Sequence, residues 1–166
     1  MKRTAAALVL ALSLVTTPVL AQTPGPDVGD GVRFGISIGG SSTIALNVEL
    51  FRNSSSLDFA LGTWRFKDVS FSTVLKRYFG AAAAKPVVGA GAWLVRSGGP
   101  PNQRTGWALV FRAPIGVDWK IHEPHAIGVF LNVNRALWIR RNNPDDTSPS
   151  VGRLVPLPEM YYRIGR

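Results

Sequence analysis

Few residues in this chain are of the kinds that do chemistry together. His122 and His125 are its only histidines, and at this spacing two imidazoles can share one metal ion. They flank Glu123-Pro124, a turn sequence, and no third ligand stands nearby, so they read as turn residues and the expectation is no metal. Asp145-Asp146 is a second candidate, for a divalent cation, but paired loop acids normally meet only water. Arg140, Arg141 and Arg153 suit contact with lipid phosphates, and serve equally well as a solvated basic loop. A nucleophile within reach of a base is missing, so the chain is not expected to be an enzyme or to take a cofactor. The largest set of reactive groups is a series of charges spread along the chain: Arg33, Glu49, Asp58, Lys76, Arg112, Asp118, Lys120, Glu159 and Arg163.

The elements that carry this series are best seen between Trp107 and Asn134. Trp107, Leu109, Phe111, Ala113, Ile115, Val117, Trp119 and Ile121 share one parity; Ala108, Val110, Arg112, Pro114, Gly116, Asp118 and Lys120 share the other. Strand side chains alternate with period two, so this is a strand with an apolar face and a small or charged one. After His122-Glu123-Pro124-His125 the alternation resumes, with Ile127, Val129, Leu131 and Val133 on one face and Gly128, Phe130, Asn132 and Asn134 on the other.

The same alternation predicts strands at 32–39, 44–50, 57–62, 69–79 and 158–164, and 87–95, mostly Val, Gly and Ala, reads as a further strand whose facing is ambiguous, eight in all. Pro114 marks a place for a bulge. No helix of useful length separates the strands, which disfavours parallel βαβ units. The expected fold is all-β: an eight-stranded antiparallel up-and-down closed barrel. The loops 96–105 and 135–155 are its longest connections, and they are expected to present any site for a surface partner.

Alternation alone does not say which face is inside. A soluble, lipocalin-like barrel would put the apolar face inward, around an apolar ligand. A membrane barrel reverses this. Three features favour the membrane type. The polar face is also the small face, which suits a narrow eight-stranded lumen. Its charges carry both signs and can pair as a lumen network, leaving a plugged interior rather than a wide pore. Phe34, Phe59, Phe71, Phe79, Trp107, Phe111, Trp119 and Tyr162 fall on the apolar face, several near strand ends, as lipid-facing aromatics do.

Met1-Lys2-Arg3, the apolar run Ala5 to Val15 and the small-residue pattern Val19-Leu20-Ala21 read as a signal peptide over residues 1–21. Residues 22–31, with Pro24 and Pro26, read as a flexible leader, and 32–166 as the barrel domain. Removing the signal lowers the formal charge from +9 to +7. A basic exported chain suits anionic lipid headgroups; no nucleic-acid motif is present. With no cysteine, neither a disulfide framework nor a lipid-modified cysteine is available.

The run Phe111-Arg112-Ala113-Pro114-Ile115-Gly116-Val117-Asp118-Trp119-Lys120-Ile121 resembles the R-x-P-x-G-aliphatic-x-aromatic-basic segment of small outer-membrane β-barrel proteins of the OmpA-like transmembrane type. Leu75-Lys76-Arg77-Tyr78-Phe79 resembles the aromatic end of their fourth strand, and Tyr161-Tyr162-Arg163 their last strand. The resemblance implies residence in the outer membrane of a diderm bacterium, a non-enzymatic structural or surface-interaction role, and partners in the outer-membrane lipids, periplasmic chaperones and the barrel assembly machinery. Such barrels usually end on an aromatic residue; this sequence closes on Ile164-Gly165-Arg166, a weaker signal for that machinery.

Overall fold

The computed structural model describes residues 30–64, 66, 68–98, 105–141 and 151–165. Residues 1–21, expected to be a signal peptide, residues 22–29 of the expected leader, Asp145-Asp146 and the centres of both long loops lie outside the described residues. Eight strands follow in order: β1 (Gly31–Gly39), β2 (Ser42–Arg52), β3 (Ser55–Thr63), β4 (Asp68–Tyr78), β5 (Ala84–Ser97), β6 (Gly106–His122), β7 (His125–Arg140) and β8 (Leu154–Gly165). Each pairs antiparallel with the next, and β1 pairs with β8, so the sheet closes into a barrel without a free edge.

Tight turns make this order possible. Gly39 and Gly40 take φ values of 82° and 67°, where a side chain would be strained, and they reverse the chain between β1 and β2. Connections β1–β2, β3–β4, β5–β6 and β7–β8 lie at one end of the barrel, here called the loop end. Both barrel termini lie at the other, the termini end.

The register fixes the tilt. Partners followed around the ring from Lys85 run through Asp118, Gly128, Tyr161, Ser37, Ala45, Gly62 and Ser70, and return to β5 at Val95, ten residues beyond Lys85. Eight strands staggered by that much tilt about 40° from the barrel axis.

Three expectations are corrected. First, residues 135–140 are strand, not loop: β7 runs on to Arg140, and β5 likewise takes in Arg96 and Ser97. The β6 partners of Ala136 and Trp138 are Val110 and Leu109, so Leu137 is an extra residue that breaks the period of two. Second, β8 begins at Leu154, not Pro158. Pro158 O accepts a bond from Gly40 N, which places the donor-less ring nitrogen of Pro158, and of Pro156 two residues back, on the side where β1 has already ended. Third, no bulge marks Pro114. The β6–β7 register passes through Ala113, Pro114 and Ile115 unbroken, while no ladder pair joins Pro114 to Gly89 on the β5 side. The buried proline ring points inward, and a Cβ at Gly89 would lie 3.0 Å from its Cγ, so glycine leaves it room.

Candidate functional site

The barrel interior is built from the small and charged parity of every strand. At the termini-end half, β2 and β3 place Glu49 and Asp58 directly opposite each other. Two carboxylates so placed repel, and burial removes the water that would screen them. Two bases answer them. Arg163 of β8 forks between both acids, reaching Glu49 Oε2 through Nη1 and Asp58 Oδ2 through Nη2 at 2.8 Å. Lys76 of β4 lies 2.6 Å from Asp58 Oδ2 and 3.7 Å from Glu49 Oε1. Ser56 Oγ and Tyr78 OH each donate to Glu49 Oε1 at 2.5 Å. Arg163 and Glu49 are both wholly shielded from solvent.

Beside this cluster Arg33 pairs with Asp118 at 3.2 Å, and Tyr161 OH donates to Asp118 Oδ1. Aromatic rings wrap the charges. The Arg163 guanidinium lies 3.9 Å from the Tyr161 ring centroid, Arg33 lies 4.3 Å from that of Phe51, and Lys76 stands 5.2 Å from the rings of Phe130 and Tyr161. Phe51 packs on Tyr78 and Phe130 on Tyr161. Cations over ring faces recover part of the hydration they lose. Glycine provides the room: a Cβ at Gly128 would strike the Tyr161 ring, and one at Gly116 would strike Phe130.

A second group sits nearer the loop end. Arg112 of β6 pairs with Glu159 of β8 and donates through Nε to Asn132 Oδ1 at 2.8 Å. Its Nη1 reaches Ser41 Oγ at 2.9 Å and Ser72 Oγ at 3.0 Å. Asn132 Nδ2 in turn donates to Glu159 Oε2 at 2.8 Å. The β1–β2 turn folds over this pair, since a Cβ at Gly40 would meet the Glu159 carboxylate. Trp64 Nε1 holds that turn through Ser41 O at 2.8 Å, and its ring packs against Trp93.

Eight of the nine charges in the sequence series therefore meet inside: Arg33, Lys76, Arg112 and Arg163 against Glu49, Asp58, Asp118 and Glu159. Lys120 does not. It lies at the exposed termini end and pairs with Glu123 of the β6–β7 turn. It keeps the parity of Asp118, but it lies one step past the start of β5 at Ala84 and has a ladder partner on the β7 side alone, Ala126.

No family model, curated protein or solved structure matches the chain. What it presents must be read from its own surfaces.

The outward parity is mostly apolar on every strand, with Arg77, Arg96, Arg135 and Arg140 among the exposed exceptions. Phe34, Ile36, Leu46, Leu61, Leu75, Ile115, Val129, Leu131 and Met160 are all exposed. Phe34, Phe71, Phe79, Phe111, Trp119 and Tyr162 are exposed on this face, and Phe59 and Trp107 half-exposed. Trp119, Phe79 and Tyr162 ring the termini end; Trp107, exposed Trp138 and exposed Phe66 stand at the loop end. Arg140 and Arg153 are exposed where β7 ends and β8 is about to begin, and Arg141 is half-buried. His125 Nδ1 lies 2.6 Å from Tyr162 OH, while His122 is exposed across the turn. Among the described residues no three His, Cys, Asp or Glu side chains come together as a metal site.

The interior aromatics Phe51, Tyr78, Phe130 and Tyr161, and the polar partners Ser41, Ser72 and Asn132, were missing from the candidate residues. Their signal was available: Tyr78 shares parity with Lys76, Phe130 with Asn132, and Tyr161 lies between Glu159 and Arg163.

Proposed function

We propose that the chain is a small integral outer-membrane β-barrel of the OmpA-like transmembrane type, non-enzymatic, with a plugged polar lumen and a structural or surface-interaction role. One observation carries this reading. The large apolar side chains face outward from every strand, while the paired charges, four acids and four bases, are turned inward. Water is a poor solvent for such a surface. Soluble monomers rarely expose a contiguous apolar patch beyond a few hundred Å², whereas a bilayer requires one. Strand lengths of 9 to 17 residues suffice for a tilted crossing. The aromatic rings at both ends suit the two membrane interfaces.

On this reading the termini end faces the periplasm, and the loop end, where β5 passes to β6 and β7 to β8, faces outward toward a surface partner. Export by a cleaved signal peptide, then delivery by periplasmic chaperones to the barrel assembly machinery, completes the proposal.

The test is solubility combined with labelling. The purified protein is expected to need detergent and to migrate differently on a gel before and after heating. Single cysteines replacing Phe59, Leu109 or Val129 are expected to be shielded from an aqueous maleimide once the protein is in lipid. Protein that stays monodisperse without detergent would overturn the membrane reading and return the alternative of an exported, lipocalin-like soluble barrel.

A further inference from the structure

Register brings Arg96 of β5, Trp107 of β6 and Arg140 of β7 side by side in one row at the loop end. All three are on the outward parity, above the row Leu94, Leu109 and Trp138. The Arg96 guanidinium lies 5.9 Å from the Trp107 ring centroid. Arg135 stands deeper on the same face, beside Phe111. Among the described residues no carboxylate pairs with Arg96, Arg135 or Arg140. Asp68, whose register partner is Ser97, shares its parity with buried Ser70 and turns inward.

This row differs from an ordinary basic surface in two ways. The ion-paired interior charges cancel, four acids against four bases, and the arginines of this row stand apart from that lumen network. The arginines also stand on strands, not loops, so their spacing is fixed: two strand steps separate Arg96 from Arg140, about 10 Å between backbones. A guanidinium presents a planar fork that matches a phosphate, and an indole beside it favours the boundary between headgroup and acyl chain. Below the row, Leu94, Leu109, Phe111, Leu131 and Leu137 offer an apolar bed.

Resting on the membrane reading, we propose that Arg96, Trp107 and Arg140, with Arg135 beneath, form a binding site for an acylated sugar carrying two phosphates in the leaflet at the loop end. The two arginines of the row take the phosphates, Trp107 lies against the sugar, and the acyl chains run down the face past Arg135.

The probe is lipid A, a bis-phosphorylated acylated disaccharide, titrated into the full-length protein in zwitterionic micelles and read by native mass spectrometry. The R96Q/R140Q variant is expected to lose affinity by about tenfold or more, as charged hydrogen bonds are removed. R96K/R140K, which keeps charge but loses the fork, is expected to fall between. R52Q/R77Q, at the opposite end, is expected to bind as the unmodified chain does. Unchanged affinity in R96Q/R140Q overturns the site, and an equal loss in R52Q/R77Q reduces it to general charge attraction. Displacement of lipid A by millimolar inorganic phosphate makes it a free-anion site and overturns the lipid assignment. Heat-modifiable migration of each variant reports an intact barrel. Failure of the membrane reading shows separately, as unmodified protein that is monodisperse without detergent, and removes this proposal with it.

Discussion

Glu49 and Asp58 face each other across the β2–β3 ladder, and the single guanidinium of Arg163 spans both. Two adjacent strands thus carry like charges at the same level, and a strand distant in sequence supplies the countercharge. Replacing Arg163 with glutamine leaves two buried acids with one lysine. Breaking a buried pair by removing one partner costs about 3–5 kcal/mol. R163Q is expected to lower the urea midpoint of the barrel in micelles by a corresponding amount. Adding E49Q to R163Q is expected to recover part of the loss, and a double variant no more stable than R163Q alone would count against the pairing.

Gly128 and Tyr161 are register partners, and the Tyr161 hydroxyl is tethered to Asp118, so its ring cannot swing away freely. G128A is expected to destabilise the barrel by about 1–3 kcal/mol through overpacking. Pairing G128A with Y161L is expected to lessen the penalty, measured as the temperature at which the heat-modifiable band is lost. No such relief would mean that the ring is not the obstacle.

Arg112 and Glu159 share Asn132 as a common partner. Residues joined in this way couple, with interaction energies of about 0.5–3 kcal/mol. A cycle of R112Q, E159Q and the double variant, followed by equilibrium unfolding, is expected to show favourable coupling in that range. Additive effects would show that the two act independently.

Leu46 is 66 % exposed at the middle of β2. An arginine there is expected to destabilise a lipid-embedded barrel by about 2–4 kcal/mol. The same L46R change on a water-facing surface should fall within about 0.5 kcal/mol of neutral. Refolding into vesicles of phosphatidylcholine, with the fraction folded read against urea, separates the two.

Much of the architecture was legible because period-two alternation survives in β1, β2, β4 and most of β6. It failed where a physical event interrupts it. Leu137 adds one residue to β7, so Leu137-Trp138-Ile139 looked like the start of a loop. The last strand was expected from Pro158, yet it begins at Leu154, because the nitrogens of Pro156 and Pro158 face a side where β1 offers no acceptor. Lys120 kept the right parity yet lay at the exposed termini end, and parity carries no information about depth. Which acid meets which base was not legible either. That depends on the ten-residue stagger, which brings Arg163 against Glu49 and Asp58 and sends Arg33 to Asp118 rather than to its own ladder partner Glu49.

β8 pairs with both β7 and β1, so the strand whose guanidinium spans Glu49 and Asp58 is also the one that joins the two ends of the sheet. A sheet lacking β8 would leave those two acids facing Lys76 alone, so electrical neutrality within and continuity of the wall both depend on one strand.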